Sequence, residues 1–300
     1  MVRLHFVIFA FNRGQFLANC IDSIERCAPQ CPVIIFDDNS DDPQTREVLK
    51  GLEQRYRILT PQSLLSANDS KHGGLYANME ASLSALDDND FICTLQDDMQ
   101  LVRPLGSDEI EAMATFIAAS PDRCFLHHAF MKGAERDNTL INYDNSNSVY
   151  YAERPGSSAG QYYSDIFIAP VARLRRGDWH FLPREAANEK QARNLFAPMA
   201  YLRNPFAAWL PAATAWRGKR RTWALRQGEK RHRCGFHPME IMDASQNTQF
   251  MSRNADRLPI AEDWLSLKGE SLQKPWVYHP LQNSRWLKWL NSAELKLRKC

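Results

Sequence analysis

Continuous apolar runs alternate with helical patterns along the first 130 residues of the chain. The runs at residues 3–11, 33–36 and 91–95 contain few polar side chains, which is typical of strands buried on both faces of a sheet. Between the first two runs, apolar residues recur every three or four positions from Phe16 to Ile24. That spacing predicts a helix with one buried face. The order strand, helix, strand, helix therefore predicts an α/β fold.

The remaining patterns extend this prediction. Further strands are predicted at residues 56–59, 124–130 and 161–169, and further helices at 43–55, from Leu75 to Leu86, at 108–119 and at 171–176. Residues 133–161 are rich in Asn, Ser, Gly and Asp and are predicted to form a loop or lid. The pattern after residue 177 is irregular, helical and interrupted by Pro. We predict a single Rossmann-like, mostly parallel sheet with helices on both faces in residues 1–195. An irregular helical extension is predicted in 196–300.

Two of the predicted strands end in pairs of carboxylates. Asp37-Asp38 follows the second strand, and Asp97-Asp98 follows the strand at 91–95. Ligands of open parallel sheets gather at the carboxyl ends of the strands, so the two pairs mark one edge of the sheet as a site. Exposing two negative charges there is costly unless a cation meets them, and a divalent metal bridging to phosphate is the usual solution. The alternatives are that Asp37 and Asp38 cap the following helix and that Asp97-Asp98 is a surface turn.

The charge of the chain is small but unevenly placed. The formal net charge is +2, yet residues 216–233 contain eight Lys or Arg and one Glu, and residues 284–300 contain five and one. Such basic segments suit nucleic acid, anionic lipid or an anionic acceptor. Trp223 among the cations, and Trp286 and Trp289 on one predicted helical face, favour a membrane surface. The alternative is an ordinary packed helix with a solvated basic rim.

Cysteine usage and the chain start bear on the compartment. The seven cysteines are an odd number and lack zinc-ligand spacing, which points to a reducing compartment. The first residues lack a signal-peptide pattern, and the apolar region at 196–216 is cut by prolines, so no plain membrane span is predicted there. The sequence also lacks a Gly-rich dinucleotide turn and a phosphate loop. We predict a cytoplasmic protein that binds peripherally to the inner face of the cytoplasmic membrane.

Four segments together resemble glycosyltransferase family 2. They are Val7-Ile-Phe-Ala-Phe-Asn-Arg13, Val33-Ile-Ile-Phe-Asp-Asp-Asn-Ser-Asp-Asp42, His72-Gly-Gly-Leu-Tyr-Ala-Asn78 and Phe91-Ile-Cys-Thr-Leu-Gln-Asp-Asp98. The resemblance covers residues 3–102 well and extends weakly to about 195. It implies an inverting enzyme with the A-type nucleotide-diphospho-sugar transferase fold.

The resemblance also implies a donor-binding role for several residues. The backbone of Ala10, Phe11 and Asn12 would lie against the nucleotide base and ribose. Asp38 would accept a hydrogen bond from a base N–H.

At the phosphate end, the resemblance places Lys71 and Gly73 near the diphosphate, since Lys supplies a charge and Gly permits a close approach. Asp97 would face sugar or ribose hydroxyls. Asp98 would coordinate Mg²⁺ or Mn²⁺.

An inverting transfer needs one general base to take the proton of the acceptor hydroxyl. The resemblance places this carboxylate in residues 177–189, where Glu189 is the preferred candidate because it is predicted to begin a helix. Glu185 and Asp178 are rivals, and Asp165 is a further possibility outside this window. Some members of the family add a histidine to the metal site, for which His237 and His279 are candidates.

The sequence thus predicts a metal-dependent glycosyltransferase that moves a sugar from a nucleotide-diphosphate donor to a hydroxyl acceptor. The predicted acceptor is a cell-surface glycan, either lipid-linked or a lipopolysaccharide core, and nucleic acid is not expected as a partner. One alternative is a module of the same fold that has lost its chemistry and binds membrane or nucleic acid. Another is a nucleotidyltransferase, although that activity normally needs a Gly-rich basic loop after the first strand, and only Asn12-Arg13-Gly14 comes near one.

Overall fold

The fold is taken from a computed structural model that describes residues 2–61, 74–133, 141–153, 160–176, 179–214, 221–269 and 271–298. The strands are β1 (Arg3–Ala10), β2 (Val33–Asp37), β3 (Arg57–Leu59), β4 (Asp90–Gln96), β5 (Met99–Leu101), β6 (Leu126–His127), β7 (Ile141–Asp144), β8 (Val149–Ala152), β9 (Ile168–Pro170), β10 (Ala200–Leu202) and β11 (Ala207–Trp209). The helices are α1 (Gly14–Cys27), α2 (Pro43–Leu52), α3 (Gly74–Ser82), α4 (Ser107–Ala118), α5 (Val171–Arg176), α6 (Glu185–Leu195), α7 (Trp223–Arg231), α8 (Ala244–Met251), α9 (Ala261–Trp264) and α10 (Arg285–Leu297).

Nine of these strands form one mixed sheet in the order β3-β2-β1-β4-β9-β6-β10-β8-β7. The first half of the chain supplies the parallel part, in which β1 lies between β2 and β4. The register aligns Ala10 with Asp37 and Phe9 with Gln96, so the carboxyl ends of three strands lie side by side. The predicted α/β fold and the parallel arrangement of these strands are confirmed.

The second half of the sheet is mainly antiparallel, and here two predictions are wrong. Residues 141–152, predicted as loop, contain the hairpin β7–β8, in which Tyr143 pairs with Tyr150 and Asn142 with Tyr151 across a short turn. The predicted strand at 161–169 is reduced to β9, which runs antiparallel to β4.

Alternation along β1 explains how the sheet is covered. Leu4, Phe6 and Ile8 are buried in a cluster with the inner face of α1, whereas Val7 and Phe9 are buried in a second cluster on the opposite face. A strand whose successive side chains enter two separate cores needs consecutive apolar residues, which is the pattern that the sequence shows from Phe6 to Ala10.

Several helix boundaries differ from the predicted ones, and α3 ends at Ser82 rather than at Leu86. Helix α2 ends at Leu52 rather than at residue 55. Helix α6 begins at Glu185, four residues before Glu189, which had been predicted to begin it. Glu189 therefore lies inside the helix, on a buried turn.

Beyond β11 the C-terminal region is helical and irregular, as predicted, but β10 and β11 fall within residues 196–300, so the sheet extends past the predicted boundary at residue 195. A third buried cluster joins Phe130 and Ala208 to Phe250 and Trp276, so the extension packs on the sheet domain. A smaller cluster around Ala224 and Leu287 joins helix α7 to helix α10. None of the helices in the described ranges has the length and apolar character needed to cross a bilayer.

Candidate active site

The loop after β1 holds the acidic loop after β2. Asn12 has a left-handed backbone (φ 51°) and is almost fully buried. Its Oδ1 accepts hydrogen bonds from the N–H groups of Asp41 (2.9 Å) and Asp42 (3.0 Å), and its Nδ2 donates to Asp41. The Asn12 side chain thus shapes the predicted nucleotide loop from within.

The two carboxylates after β2 have different tasks. Asp37 is buried and accepts hydrogen bonds from the backbone N–H and the hydroxyl of Ser40, which closes the loop. Asp38 accepts from Asn78 Nδ2 at 3.0 Å and from the N–H of Gly74 at 3.3 Å. Neither caps helix α2, because that cap is Asp42, which accepts from the N–H of Thr45. The capping alternative for Asp37 and Asp38 is therefore wrong.

The acidic pair after β4 meets a buried cation. Asp97 accepts the N–H of Phe11 at 3.0 Å and lies 3.4 Å from Nη1 of Arg13. The same nitrogen donates to Asp98 Oδ2 at 2.5 Å. In this structure, the positive charge that the strand end requires is thus supplied by Arg13, the residue directly before helix α1.

Arg13 makes further contacts besides those with the two carboxylates. Its second nitrogen donates to the carbonyl of Thr214 at 2.7 Å, and its guanidinium lies 5.4 Å from the ring centre of Phe16. Burial works against the charged form, but Asp98 and Asp97 outweigh it and raise the pKa of Arg13. The sequence analysis did not assign this residue. The sequence feature that could have identified Arg13 is its position as a basic residue soon after the first strand, in the chain segment that faces both acidic pairs.

A cavity of about 460 Å³ opens beside Asp98. Its walls come from both halves of the chain, because β5 pairs with β11 and the N–H of Leu210 donates to the carbonyl of Asp98. The Arg, Lys, His, Asp and Glu residues that line it are Arg13, Asp98, Lys132, Asp165, Glu185 and His279.

Glu185 is the first residue of helix α6 and lies in this wall. Burial and, next, the nearby charge of Asp165 raise the pKa of Glu185 to about 7, although Lys132 acts in the opposite direction. A carboxyl group that titrates near neutral pH can take a proton and release it again under physiological conditions.

Asp165 is held next to Glu185 by the centre of the sheet. The hydroxyl of Thr94 on β4 donates to the carbonyl of Asp165 at 2.8 Å and accepts the N–H of Phe167. Burial raises the pKa of Asp165, while hydrogen bonds from Tyr76 and Tyr163 lower it in part. The site therefore contains two carboxyls that each make ionisation of the other more costly.

Glu189 does not line the cavity. It is buried, and its Oε2 accepts the N–H groups of Gln161 (3.3 Å), Tyr162 (2.9 Å) and Tyr163 (2.9 Å). A carboxylate with three backbone donors serves to fix a loop. Its placement does not bring it to an acceptor, whereas Glu185, one helical turn earlier, reaches the cavity.

Three predicted residues cannot be placed. Asp178, Lys71 and Gly73 lie outside the described residues, as does His72.

Lys132 adds a cation that the sequence analysis did not single out. Its ammonium group lies 3.7 Å from the ring centre of Trp209 and 5.2 Å from that of Tyr278. The buried carboxylate of Glu262 accepts the N–H groups of Gly133 and Trp276, so it joins the segment of Lys132 to that of Tyr278. Nothing in the local sequence marks the contacts of Lys132, since they join residues more than 70 positions apart.

The cavity offers few ligands for a divalent metal. Within the described ranges, no group of three or more His, Cys, Asp or Glu residues converges on one point. Asp98 and His279 nevertheless line the same cavity. Nδ1 of His279 accepts the N–H of Leu281, which leaves the other ring nitrogen for a ligand, and burial and then Lys288 lower the pKa of His279. His237 instead pairs with the carbonyl of Arg233 and is not part of the wall. One carboxylate and a neutral imidazole suit Mg²⁺ or Mn²⁺ that takes its other ligands from phosphate and water.

Comparison with known families gives one match. The model for glycosyl transferase family 2 matches residues 5–162, which is more than half of the chain and includes both acidic pairs. No curated protein matches the chain by sequence.

Solved structures with a related fold have low identities. The structure of S. aureus TarS 1–349 is 15% identical with a TM-score of 0.48, and the alignment covers 69% of this chain and 60% of that one. A mannosyltransferase, PcManGT from Pyrobaculum calidifontis, in complex with GDP-Man and Mn²⁺, is 11% identical (TM-score 0.45, 99% and 75% covered). Glucosyl-3-phosphoglycerate synthase from Mycobacterium tuberculosis, in complex with Mn²⁺, UDP and phosphoglyceric acid, is 13% identical (TM-score 0.47, 91% and 88% covered). With TM-scores below 0.5, we base no conclusion on these similarities.

Proposed function

Because the chain belongs to glycosyl transferase family 2, we propose that it transfers a sugar from a nucleotide-diphosphate donor to a hydroxyl acceptor with inversion at the anomeric carbon. The observation that carries this proposal is the cavity in which Asp98, at the end of a parallel strand, meets Glu185, whose pKa is raised to about 7. In the proposed site, Asp98 serves the phosphate and its cation, and Glu185 serves as the base.

The proposed donor site runs along the ends of β1, β2 and β4. The backbone of Ala10 and Phe11 and the loop that Asn12 holds would contact the nucleoside, with Asp38 accepting from the base. Asp38 is positioned for this by Asn78 and Gly74. Lys71 and Gly73 keep their proposed role near the phosphates.

The proposed metal is Mg²⁺ or Mn²⁺, held by Asp98 and His279. When bound, it would neutralise the charge that develops on the departing diphosphate. Arg13 already pairs with Asp98 and Asp97. In the proposed mechanism Arg13 keeps these carboxylates ionised and in place, and its own charge also faces the leaving group. Asp97, which is bound to the N–H of Phe11, would act mainly through this positioning.

In the proposed chemical step, Glu185 accepts the proton of the acceptor hydroxyl as its oxygen attacks the anomeric carbon. The bond between that carbon and the diphosphate oxygen breaks, and the nucleoside diphosphate leaves with both electrons. Asp165 supports this step because its charge helps to raise the pKa of Glu185 into the useful range. The geometry favours Glu185 over Glu189, whose oxygen is engaged by three backbone donors.

We further propose that the acceptor belongs to a cell-surface glycan, lipid-linked or a lipopolysaccharide core, and that the protein acts in the cytoplasm. The support is the pair of cations in the cavity wall, since Arg13 and Lys132 suit an acceptor that carries phosphate or carboxylate groups.

A panel of nucleotide-diphosphate sugars tests the proposal without knowledge of the acceptor. We expect slow metal-dependent hydrolysis of one donor, and a thermal shift with the matching nucleoside diphosphate only when Mn²⁺ or Mg²⁺ is present. Asp98→Asn should abolish both effects. The exposed Asp108 on α4 offers a matched control, because Asp108→Asn removes the same charge far from the cavity. A panel without hydrolysis and without any thermal shift would contradict the proposal and favour a binding module.

A further inference from the structure

The exposed large apolar side chains of the described residues are confined to two helices. They are Trp223 on α7 and Trp286, Trp289, Leu295 and Leu297 on α10. Trp286 is 61% exposed, Trp289 65% and Leu297 78%. Keeping such side chains in water opposes the hydrophobic effect, so their concentration on one pair of helices marks a contact surface.

The two helices form one unit. Ala224 and Leu287 are buried between them, the Trp223 and Trp286 rings meet edge to face at 6.4 Å, and Glu294 accepts the N–H of Trp223. The two tryptophans are therefore presented together on a packed scaffold. We call the exposed residues Trp223, Trp286, Trp289, Leu295 and Leu297 the C-terminal apolar surface.

Cations border this surface. Helix α10 carries three cations, Arg285, Lys288 and Lys296, against the single carboxylate of Glu294, which is engaged by α7. Lys288 and Lys296 are exposed on the same helix as Trp286 and Trp289. A helix with indole rings and cations on its outer side is the composition that binds the interface of an anionic bilayer, where Trp lies at headgroup level.

A basic cavity lies at one end of the helix pair. Its volume is about 430 Å³, and its wall includes Arg231 and His232 at the end of α7, Lys274, and Asn283 directly before α10. Arg233 also lines it, and no carboxylate does among the described residues. Trp286 is only three residues beyond Asn283, so a space suited to phosphate adjoins the C-terminal apolar surface.

The same helices adjoin the catalytic cavity. Gly228 of α7 packs so closely on the carbonyl of Pro280 that an added Cβ would lie 2.4 Å from its oxygen. Pro280 and its neighbour His279 line the catalytic cavity, so helix α7 packs directly on a segment of the cavity wall. A bilayer in contact with α10 would therefore lie close to the cavity that contains Glu185.

We propose that the C-terminal apolar surface docks on an anionic lipid bilayer, with Trp286 and Trp289 at headgroup level and a lipid phosphate in the basic cavity. Docking brings the catalytic cavity to the membrane surface, so that the acceptor is reached as a lipid-linked glycan. This last step rests on the proposed function, whereas the docking itself does not.

Sedimentation of the full chain with vesicles tests the docking. We expect binding to vesicles of equal parts phosphatidylcholine and phosphatidylglycerol at low salt, weak binding to pure phosphatidylcholine vesicles, and weaker binding in high salt. The double variant Trp286→Ser, Trp289→Ser should lose binding. Lys288→Gln with Lys296→Gln should weaken it about tenfold, since each surface cation contributes measurably to attraction by anionic lipid. Adding Arg231→Gln, in the basic cavity, to this lysine variant should weaken vesicle binding further.

The matched control is Lys50→Gln with Lys190→Gln, which removes two exposed cations from other faces and should leave binding unchanged. Failure of the unmodified chain to bind anionic vesicles would overturn the proposal, as would undiminished binding by the tryptophan variant. A further contradicting result would be that the chain does not bind vesicles but forms a dimer in sedimentation equilibrium, and that the tryptophan variant is monomeric. The surface would then be occupied by a second copy of the chain. Donor hydrolysis is measured without lipid, so loss of docking with retained hydrolysis refutes only this inference.

Discussion

The carboxylates of the two halves of this chain are controlled in different ways. In the first half, Asp37 and Asp97 accept hydrogen bonds from nearby backbone or hydroxyl groups, and Asp97 and Asp98 pair with a buried arginine. In the second half, Glu185 and Asp165 lie in the cavity wall with raised pKa values, mainly because they are buried. Ionised groups suit cation and phosphate binding, whereas a carboxyl poised near neutrality suits proton transfer.

The comparison also explains why Glu189 and Glu185 differ, although they share a helix. Glu189 faces a loop that offers three N–H groups, so it is a fixed structural carboxylate. Glu185 begins the helix at the cavity and borders Asp165. One turn of helix thus separates a residue that stabilises the fold from one suited to chemistry.

The largest expected effect is on the rate of sugar transfer, when a carboxylate of the first half of the chain is neutralised. Asp98→Asn should lower the rate of sugar transfer about a thousandfold, which corresponds to about 4 kcal/mol of transition-state stabilisation. The reason is the loss of the negative oxygen that would hold the cation at the diphosphate. Steady-state kinetics of donor turnover measures this, with Asp108→Asn as the control. Near-normal turnover by Asp98→Asn would contradict the assigned role.

Arg13→Met should destabilise the fold by about 3 kcal/mol, because Asp97 and Asp98 would remain buried without their counter-charge. Chemical denaturation measures the change in the free energy of unfolding. The double variant Arg13→Met, Asp98→Asn should be less destabilised than the sum of the single variants, since one of the two repelling charges is then removed. Strict additivity would show that Arg13 does not act through these carboxylates.

Glu185→Gln tests the carboxyl group of the second half of the chain whose pKa is raised to about 7. We expect a fall in kcat of about a hundredfold, with donor binding retained, because an amide cannot accept the proton. In the unmodified protein, kcat/KM should rise as pH increases through about 7, where Glu185 loses its proton, and should then level off. The variant should lack this acid limb. A pH profile that is the same in both proteins would exclude Glu185 as the base.

Glu189→Gln gives the contrasting result on the same helix. It should cost about 2 kcal/mol of stability, since three backbone N–H groups lose their charged acceptor. The pH dependence of kcat/KM should keep its acid limb. If Glu189→Gln removed that limb while Glu185→Gln kept it, the roles assigned to the two residues would have to be exchanged.

The sequence predicted the first half of the fold well, because the pattern there is local. Continuous apolar strands and amphipathic helices identify β1, β2, β4 and α1, and parallel pairing then brings Asp37, Asp38, Asp97 and Asp98 to one edge. The hairpin β7–β8 was missed because the Asn and Ser residues of its turn make residues 141–152 look like a polar loop. The limits of β9 were missed because Tyr162, Tyr163, Ile166 and Phe167 give this segment a strand-like composition, although the strand begins only at Ile168.

What the sequence determined by itself was thus the acidic edge of a parallel sheet and the family to which the motifs belong. The tertiary structure decided that Arg13 meets Asp98, that Lys132 stacks on Trp209, and that Glu185 rather than Glu189 borders the cavity. The physical reason is the distance along the chain over which the interactions act. A strand end or a helical face is set by neighbours a few residues away, whereas burial, ion pairing and a shifted pKa depend on groups that the fold brings together from distant parts of the chain.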